Sequence, residues 1–251
     1  MSVRVETSHE GAVLRLVLDA PPANVLDAAS IDALADAVRA ASARVMLVVF
    51  DHEGPHFSYG ASVAEHRRAE APAMLTRFHG LFRLLLERAI PTAALVRGRC
   101  LGGGLELASF CTWLAAAPGA SFGQPEVKLA VFPPMASILL PWRIGGGAAL
   151  DLCVSGRTID AAEAARVGLV TRLADDPRAW LDGFFAEHLA PGSAAALRFA
   201  ERAARADLAA ALDARLPALE RLYLDELMAT HDAEEGLRAF LAKEAPRYAH
   251  R

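Results

Sequence analysis

Three consecutive glycines join an apolar segment to a helical one near the middle of the chain, and this junction constrains the fold more than any other feature. The apolar run Thr92–Val96 is typical of a buried strand, the glycines occupy positions 102–104, and a helical pattern begins at Leu105. Glycines leave backbone N–H groups open to a ligand, and the first turn of a helix adds partial positive charge. The junction therefore predicts an α/β fold with a backbone site that can stabilise an oxygen anion.

Two glutamates follow the glycines. Glu106 lies in the first turn of the predicted helix, and Glu126 ends the later segment Phe-Gly-Gln-Pro-Glu. A glycine cluster after a strand is also typical of tight packing or of a phosphate-binding turn, but the Lys-Ser/Thr pair of a nucleoside-triphosphate loop is missing after these glycines. Paired carboxylates beside an anion site favour acid/base catalysis, whereas the alternative for each glutamate is a solvated surface position.

The remaining patterns alternate between strands and helices before the chain becomes mainly helical. With 251 residues and 54% hydrophobic content, the chain is able to bury a substantial core. Strands are predicted at residues 3–6, 13–18, 45–51, 92–96 and 113–116. Helices are predicted at residues 30–41, 74–88, 194–205, 208–228 and 233–243. The order of these elements indicates an α/β core followed by a helical region.

Charge and hydropathy exclude several classes of function. A net charge of −4 provides no broad basic surface for nucleic acid, and no apolar run is long enough to span a membrane. The first residues enter a strand pattern without a signal-like apolar core, so a cytoplasmic protein is expected. The three cysteines lack metal-ligand spacing. They are expected to be reduced core residues, and no metal site is expected.

Three segments share their pattern with a known family. They are Gly60-Ala61-Ser62, the run from Leu101 to Glu106, and the run from Phe122 to Glu126. The family pattern is Gly-Ala-Asp, then Leu-Gly-Gly-Gly-x-Glu, then Phe-Gly-x-Pro-Glu. The chain therefore resembles the crotonase, or enoyl-CoA hydratase/isomerase, superfamily. Matching segments within residues 155–170 and 235–240 extend the resemblance over nearly the whole chain.

This resemblance implies a fold and an assembly. The fold would be α/β, a crotonase-like spiral of ββα units with a C-terminal helical region. Residues 1–190 would form the spiral core with the active site, and residues 191–251 would form a helical region used in oligomerisation. A homotrimer or a dimer of trimers is the expected assembly.

The resemblance also implies the chemistry of the site. The backbone N–H groups of Ala61 and Gly103 would form the oxyanion hole for a thioester carbonyl, and Glu106 and Glu126 would be the acid/base pair. Many relatives that only shift a double bond keep one of these acids, so the presence of both favours a hydratase. Coenzyme A would arrive as part of an acyl-CoA substrate, and no separate cofactor is expected.

Further positions correspond to substrate-binding segments of the family. The candidate CoA-binding residues are Asn24, Val25, Ser58 and Gly60. The candidate acyl-pocket residues are Phe78, Phe132 and Met135, each with core packing as its alternative. His56, His66 and His79 lie near the first loop or in the helix after it, where a scattered histidine is more often structural or solvated than catalytic.

The segment after the second acid departs from the common family pattern. A Pro-Gly-Ala-Gly-Gly run is replaced by Pro-Pro-Met-Ala-Ser at residues 133–137. Prolines restrict the backbone and the lost glycines remove positions of close approach, so a differently shaped acyl pocket is expected, with neutral drift in a loop as the alternative. The segments at residues 60–66, 123–129 and 227–232 resemble one subfamily, the cyclohexa-1,5-diene-1-carbonyl-CoA hydratases of anaerobic aromatic-acid breakdown.

These features predict a hydratase that adds water to a conjugated unsaturated acyl-CoA, with cyclohexa-1,5-diene-1-carbonyl-CoA as the expected substrate. A straight-chain enoyl-CoA hydratase of fatty-acid metabolism and a double-bond isomerase are the enzymatic alternatives. The non-enzymatic alternative is an RNA-associated protein of the same fold. Retention of both acids favours the enzyme, and the acidic net charge disfavours RNA binding.

Overall fold

The computed structural model describes residues 2–251. Its strands are β1 (Val3–Ser8), β2 (Val13–Leu18), β3 (Leu47–His52), β4 (Thr92–Val96), β5 (Arg99–Leu101), β6 (Trp113–Ala116), β7 (Ser121–Gly123), β8 (Thr158–Asp160) and β9 (Arg172–Leu173). Its helices are α1 (Ala28–Ala40), α2 (Ala71–Arg88), α3 (Gly103–Phe110), α4 (Ala136–Ile144), α5 (Gly146–Ser155), α6 (Ala161–Arg166), α7 (Pro177–Phe184), α8 (Ala194–Ala204), α9 (Ala206–Arg221) and α10 (His231–Ala242). Short 3₁₀ turns lie at Val63–His66 and Pro125–Leu129, and a π-helical turn, Leu222–Glu226, follows α9.

The larger sheet has the strand order β1-β2-β3-β4-β6-β9. Its first two strands are antiparallel, and every later pairing is parallel. All residues of β3 and β4 are buried. Central parallel strands are covered on both faces, so their sequences are continuous apolar runs rather than alternating ones. This is why the predicted strands at 45–51 and 92–96 are confirmed within two residues.

The smaller sheet has the order β5-β7-β8, with β5 and β7 parallel. Two stretches of the chain, β4-β5-α3 and β6-β7-α4, each give one strand to the larger sheet, one strand to the smaller sheet and then a helix. The prediction of a spiral of ββα units is confirmed, and these two stretches show the unit most clearly. For residues 92–108 the sequence predicted a buried strand, a glycine turn and a helix. It missed β5, which lies between the buried strand and the helix that begins at Gly103.

The chain after residue 190 is helical, as predicted, and it packs on the rest of the molecule. Leu208, Leu212 and Leu216 of α9 belong to the main apolar core. Tyr223 of the π-helical turn packs in a cluster with Met74 of α2. No helix within residues 2–251 combines the length and the apolar character needed to cross a membrane.

Candidate active site

Backbone pairing brings the three motif segments side by side. The N–H of Leu101 donates to the carbonyl of Ser58 at 2.9 Å, and the N–H of Gly102 donates to the carbonyl of Gly123 at 2.9 Å. The loop that contains Ala61 therefore lies on one side of the glycine turn, and the segment that contains Glu126 lies on the other. Residues far apart in the sequence thus meet around the start of α3.

Two glycines are required where these segments approach one another most closely. Gly60 has a φ of +104°, and a Cβ there would lie 3.0 Å from the Leu101 carbonyl oxygen. Gly102 has a φ of +52°, and a Cβ there would lie 2.9 Å from Oε1 of Glu126. Glycine adopts such conformations at little cost, whereas a side chain would be strained and would also clash. The turn is therefore shaped around the carboxyl group of Glu126.

The N–H groups of Ala61 and Gly103 are next to each other at one cavity. A Cβ on Gly103 would lie 3.1 Å from the Ala61 nitrogen, and both residues line the cavity. Gly103 is the first residue of α3, so its N–H has no acceptor within the helix. In the described part of the chain, neither N–H donates to a backbone acceptor. Both are therefore available to a substrate oxygen.

Two of the candidate CoA-binding residues hold the first loop in place. The Asn24 side chain donates to the carbonyls of Glu53 at 2.9 Å and His56 at 2.8 Å. The Ser58 hydroxyl donates to the Asn24 carbonyl at 2.7 Å and accepts from the Gly60 N–H at 3.0 Å. Asn24 and Ser58 are buried, and their side chains support the loop that contains Ala61. Contact of these residues with CoA stays a prediction.

Glu106 and Glu126 line the same cavity and differ in their surroundings. Oε1 of Glu106 accepts from the N–H of Ala136 at 2.7 Å. Burial raises the pKa of Glu106 to about 7, although the backbone donors of Ala136 and Met135 lower it in part. Burial, followed by the charge of Glu106, raises the pKa of Glu126 well above its ordinary value. One proton shared by the two acids at neutral pH is the expected state of such a pair.

Gln124 supports Glu126, and the sequence analysis gave it no role. Gln124 is fully buried. In the amide orientation that satisfies its neighbours, its nitrogen donates to both carboxyl oxygens of Glu126 at 3.1 Å. It stands within the Phe-Gly-Gln-Pro-Glu segment, but the sequence does not reveal which way its side chain points. The contact makes Gln124 a positioning residue for the second acid.

The cavity in front of the glutamates opens to solvent. Among the candidate acyl-pocket residues, Phe78 and Phe132 line it, as do Pro133 and Pro134 of the divergent segment. Met135 is fully buried in the main core and lies outside the lining, although its backbone faces Glu106. Val25 is 37% exposed and also lies outside the lining. The polar residues His79 and Tyr223 line the cavity as well, and the sequence analysis gave neither a role there.

The chain is similar to proteins that have been characterised or solved. It matches the enoyl-CoA hydratase/isomerase family over residues 8–251. It is 49% identical to a cyclohexa-1,5-dienecarbonyl-CoA hydratase of Thauera aromatica, over 99% of this chain and 97% of the relative. It is 36% identical to a probable enoyl-CoA hydratase of Rhizobium meliloti, over 98% of this chain and 97% of the relative. The crystal structure of an enoyl-CoA hydratase from Mycobacterium avium superposes with a TM-score of 0.87 at 28% identity, covering 98% of each chain.

Proposed function

The chain belongs to the enoyl-CoA hydratase/isomerase family, and from this premise we propose that it adds water to cyclohexa-1,5-diene-1-carbonyl-CoA. The predicted family and fold class are confirmed, and its relatives are named as hydratases, so the chain is an enzyme of the hydratase type. The cyclic substrate is supported by the 49% identity to a relative that is named for it.

The observation that carries the proposal is the pair of acids, buried Glu106 and half-buried Glu126, beside two free N–H groups in one cavity. Glu106 accepts a backbone hydrogen bond, which favours its ionised form and suits a base. Glu126 lies beside that negative charge in a buried site, which favours its protonated form and suits an acid. The two environments thus support opposite roles for two chemically identical side chains.

In the proposed reaction, Glu106 takes a proton from water as the water oxygen bonds to the ring carbon β to the thioester. The displaced electron pair moves onto the thioester oxygen, where the N–H groups of Ala61 and Gly103 stabilise the charge. Glu126 then gives its proton to a ring carbon, and exchange with solvent restores both acids. The reaction requires no further cofactor, since coenzyme A arrives as part of the substrate.

The wall of the cavity favours a ring over a flexible chain. Phe132, Pro133 and Pro134 line it, and the Phe132 ring packs edge-on against Tyr223 at 5.5 Å between centroids. Two prolines and an interlocked aromatic pair deform little, so a rigid planar acyl group is suited to this wall. A straight-chain substrate remains the second candidate, because a relative at 36% identity is named as a probable enoyl-CoA hydratase.

Competition kinetics test the proposed substrate. With both thioesters present, we expect kcat/KM for cyclohexa-1,5-diene-1-carbonyl-CoA to exceed that for crotonyl-CoA by about tenfold or more, because a fitted wall discriminates acyl groups at the transition state. Glu106→Gln and Glu126→Gln are each expected to lower the rate by about a hundredfold or more. Glu87→Gln, at an exposed position of α2 outside the cavity, is the matched control.

Preference for crotonyl-CoA without hydration of the cyclic diene would make the chain a straight-chain hydratase. A shifted double bond without added water would make it an isomerase. Near-normal rates in both glutamine variants would remove the acid pair from the mechanism.

We further propose that the chain assembles as a homotrimer or a dimer of trimers. Large apolar side chains are exposed on several helices, including Phe199 at 69%, Leu150 at 65% and Val154 at 64%, and such surfaces favour association. The molar mass in solution would establish the assembly. The boundary at residue 190, the role of the later helices in assembly and the cytoplasmic location stay predictions.

A further inference from the structure

Two polar side chains at the cavity wall each keep one atom without a protein partner. His79 on α2 is 2% exposed, and Tyr223 is 1% exposed. Across residues 2–251, neither Nε2 of His79 nor the hydroxyl of Tyr223 has a hydrogen-bond partner, although both side chains line the cavity. Buried polar atoms in native proteins are almost always paired. The two atoms therefore indicate a place where a bound molecule completes the hydrogen bonding.

The hydrogen bond to Glu220 determines whether Nε2 of His79 is a donor or an acceptor. Nδ1 of His79 lies 2.6 Å from Oε1 of Glu220. Burial lowers the pKa of the His79 ring, Arg83 lowers it further, and Glu220 offsets these effects only in part. The ring is therefore neutral at neutral pH, with the Nδ1 hydrogen donated to Glu220. This tautomer leaves Nε2 with a lone pair, so it is an acceptor.

The hydroxyl of Tyr223 is the donor that complements the Nε2 acceptor of His79. Burial, followed by the charges of Glu126 and Glu106, raises the pKa of the Tyr223 hydroxyl. The hydroxyl stays protonated and is a donor. An acceptor and a donor in the lining of one cavity match a hydroxyl group, which donates through its hydrogen and accepts through its oxygen. A carboxylate has no hydrogen to donate, and it would meet the negative charge of the acid pair.

We propose that this part of the acyl cavity binds a hydroxyl substituent on the acyl ring, which donates to Nε2 of His79 and accepts from the hydroxyl of Tyr223. The inference rests on the proposed function, in that the cavity takes the acyl group of a CoA thioester. Neighbouring lining residues such as Met74, Leu75 and Val131 are apolar. The polar lining residues His66 and Tyr59 already have partners, the Ser62 carbonyl and the Arg99 guanidinium, so a ring hydroxyl would find its partners at His79 and Tyr223. The cavity would thus bind a cyclic acyl-CoA that carries a ring hydroxyl more tightly than the same thioester without it.

Binding of saturated thioesters tests the inference without any hydration step. The probes are cyclohexanecarbonyl-CoA and its 3-hydroxy and 4-hydroxy derivatives, measured by calorimetry with the full chain. At least one hydroxylated thioester should bind about tenfold tighter than the plain ring, since two hydrogen bonds to buried partners are gained. Equal affinities for all three thioesters would overturn the inference, because water alone would then satisfy the pair.

Two variants assign the preference to the proposed residues. Tyr223→Phe removes the donor, and His79→Asn removes the Nε2 acceptor while its amide can still donate to Glu220. Each should reduce the preference for the hydroxylated ring, measured as the ratio of its affinity to that of the plain ring in the same variant, to about twofold or less. Tyr248→Phe is the matched control, because its hydroxyl donates to the Lys128 carbonyl and lies outside the cavity.

If Tyr223→Phe keeps the preference for the hydroxylated ring, the assignment of the hydroxyl site to this pair is wrong. Tyr223→Phe alone is sufficient for this test if His79→Asn does not fold. The experiments distinguish an error in the proposed hydroxyl site from an error in the proposed substrate. Selective binding of a hydroxylated ring without hydration of the plain cyclic diene would support the hydroxyl site and contradict the proposed substrate. Hydration of the diene with equal binding of all three saturated thioesters would do the reverse.

Discussion

Charge, rather than hydrogen bonding, distinguishes two residues of the same type in this cavity. Glu106 accepts from the Ala136 N–H and Glu126 accepts from the Gln124 amide, so hydrogen bonds favour the ionised form of both carboxyl groups. Burial and the neighbouring charge of Glu106 nevertheless raise the pKa of Glu126 well above its ordinary value. The proposed roles of Glu106 as base and Glu126 as acid rest on this difference.

The pH profile of the reaction should reflect this division. Because the base must be ionised, kcat/KM should rise as the pH increases through the raised pKa of about 7 for Glu106. It should fall again at higher pH, where Glu126 loses the proton that it must donate. Initial rates at saturating and limiting substrate over a range of buffers would measure both limbs.

The Glu126→Gln variant separates the two limbs. Its residual activity should keep the acidic limb and lose the alkaline one, because glutamine stays neutral at every pH. An acidic limb centred near the ordinary glutamate pKa of about 4.3 would contradict the assignment of Glu106 as a buried base.

At the scale of elements, one close helix contact supports the segment that carries the second acid. A Cβ on Gly236 of α10 would lie 2.2 Å from the carbonyl oxygen of Leu129, at the end of the Pro125–Leu129 turn. Glycine inside a helix costs about 1 kcal/mol relative to alanine. It is required here because α10 and the turn touch through their backbones.

Gly236→Ala should therefore push α10 away from the turn and disturb Glu126. We expect a loss of about 1–3 kcal/mol in the free energy of unfolding, as in other overpacked sites, together with a lower kcat/KM. Urea denaturation and steady-state kinetics would measure the two effects. Gly80→Ala in α2, where nothing lies within 4 Å of the added Cβ, is the control and should be neutral or slightly stabilising. Equal behaviour of the two variants would show that the contact can relax.

Elements differed in how far the sequence predicted them. The strands at 13–18, 92–96 and 113–116 were predicted with their observed bounds, because each is a run of residues that the sheet buries. The three-residue strands β5, β7 and β8 were missed, since such short segments show no period and are held by backbone pairing to distant residues. The helices predicted at 30–41, 74–88, 194–205 and 233–243 were found through their apolar faces, with ends shifted by up to a turn. The helix predicted at 208–228 ends earlier, at Arg221, and α4 to α7 were not predicted.

At the scale of the whole molecule, the buried acid Glu106 affects folding stability. Burial raises the pKa of Glu106 from about 4.5 to about 7, so the folded chain binds that proton more tightly than the unfolded chain. This contribution to stability is complete below the unfolded pKa and is lost as the pH rises through the folded value. The loss is about 1.4 kcal/mol for each pH unit within that window.

Replacement by glutamine should remove this pH dependence. Glu106→Gln is expected to be more stable than the wild type at pH 8, by an amount on the order of 3 kcal/mol, and the difference should shrink towards pH 4. Free energies of unfolding at several pH values would measure it. A stability difference that does not change with pH would mean that Glu106 titrates alike in the folded and unfolded chains.

The candidate site was only partly predictable from the sequence, because its cavity is lined by residues from distant parts of the chain. Ala61, Gly103, Glu106 and Glu126 belong to local motifs, and the structure places all four at one cavity. Tyr223 reaches the same cavity from the C-terminal helices, and no local pattern ties it to them. The interior of the cavity depends on how distant helices pack, whereas the reacting groups are marked by short patterns.

The late position of Tyr223 and Glu220 in the chain also affects when the cavity is completed during protein synthesis. The chain is synthesised from its N-terminus, so Glu106 and Glu126 emerge before the residues that complete the cavity wall. The acyl cavity can therefore be complete only near the end of synthesis.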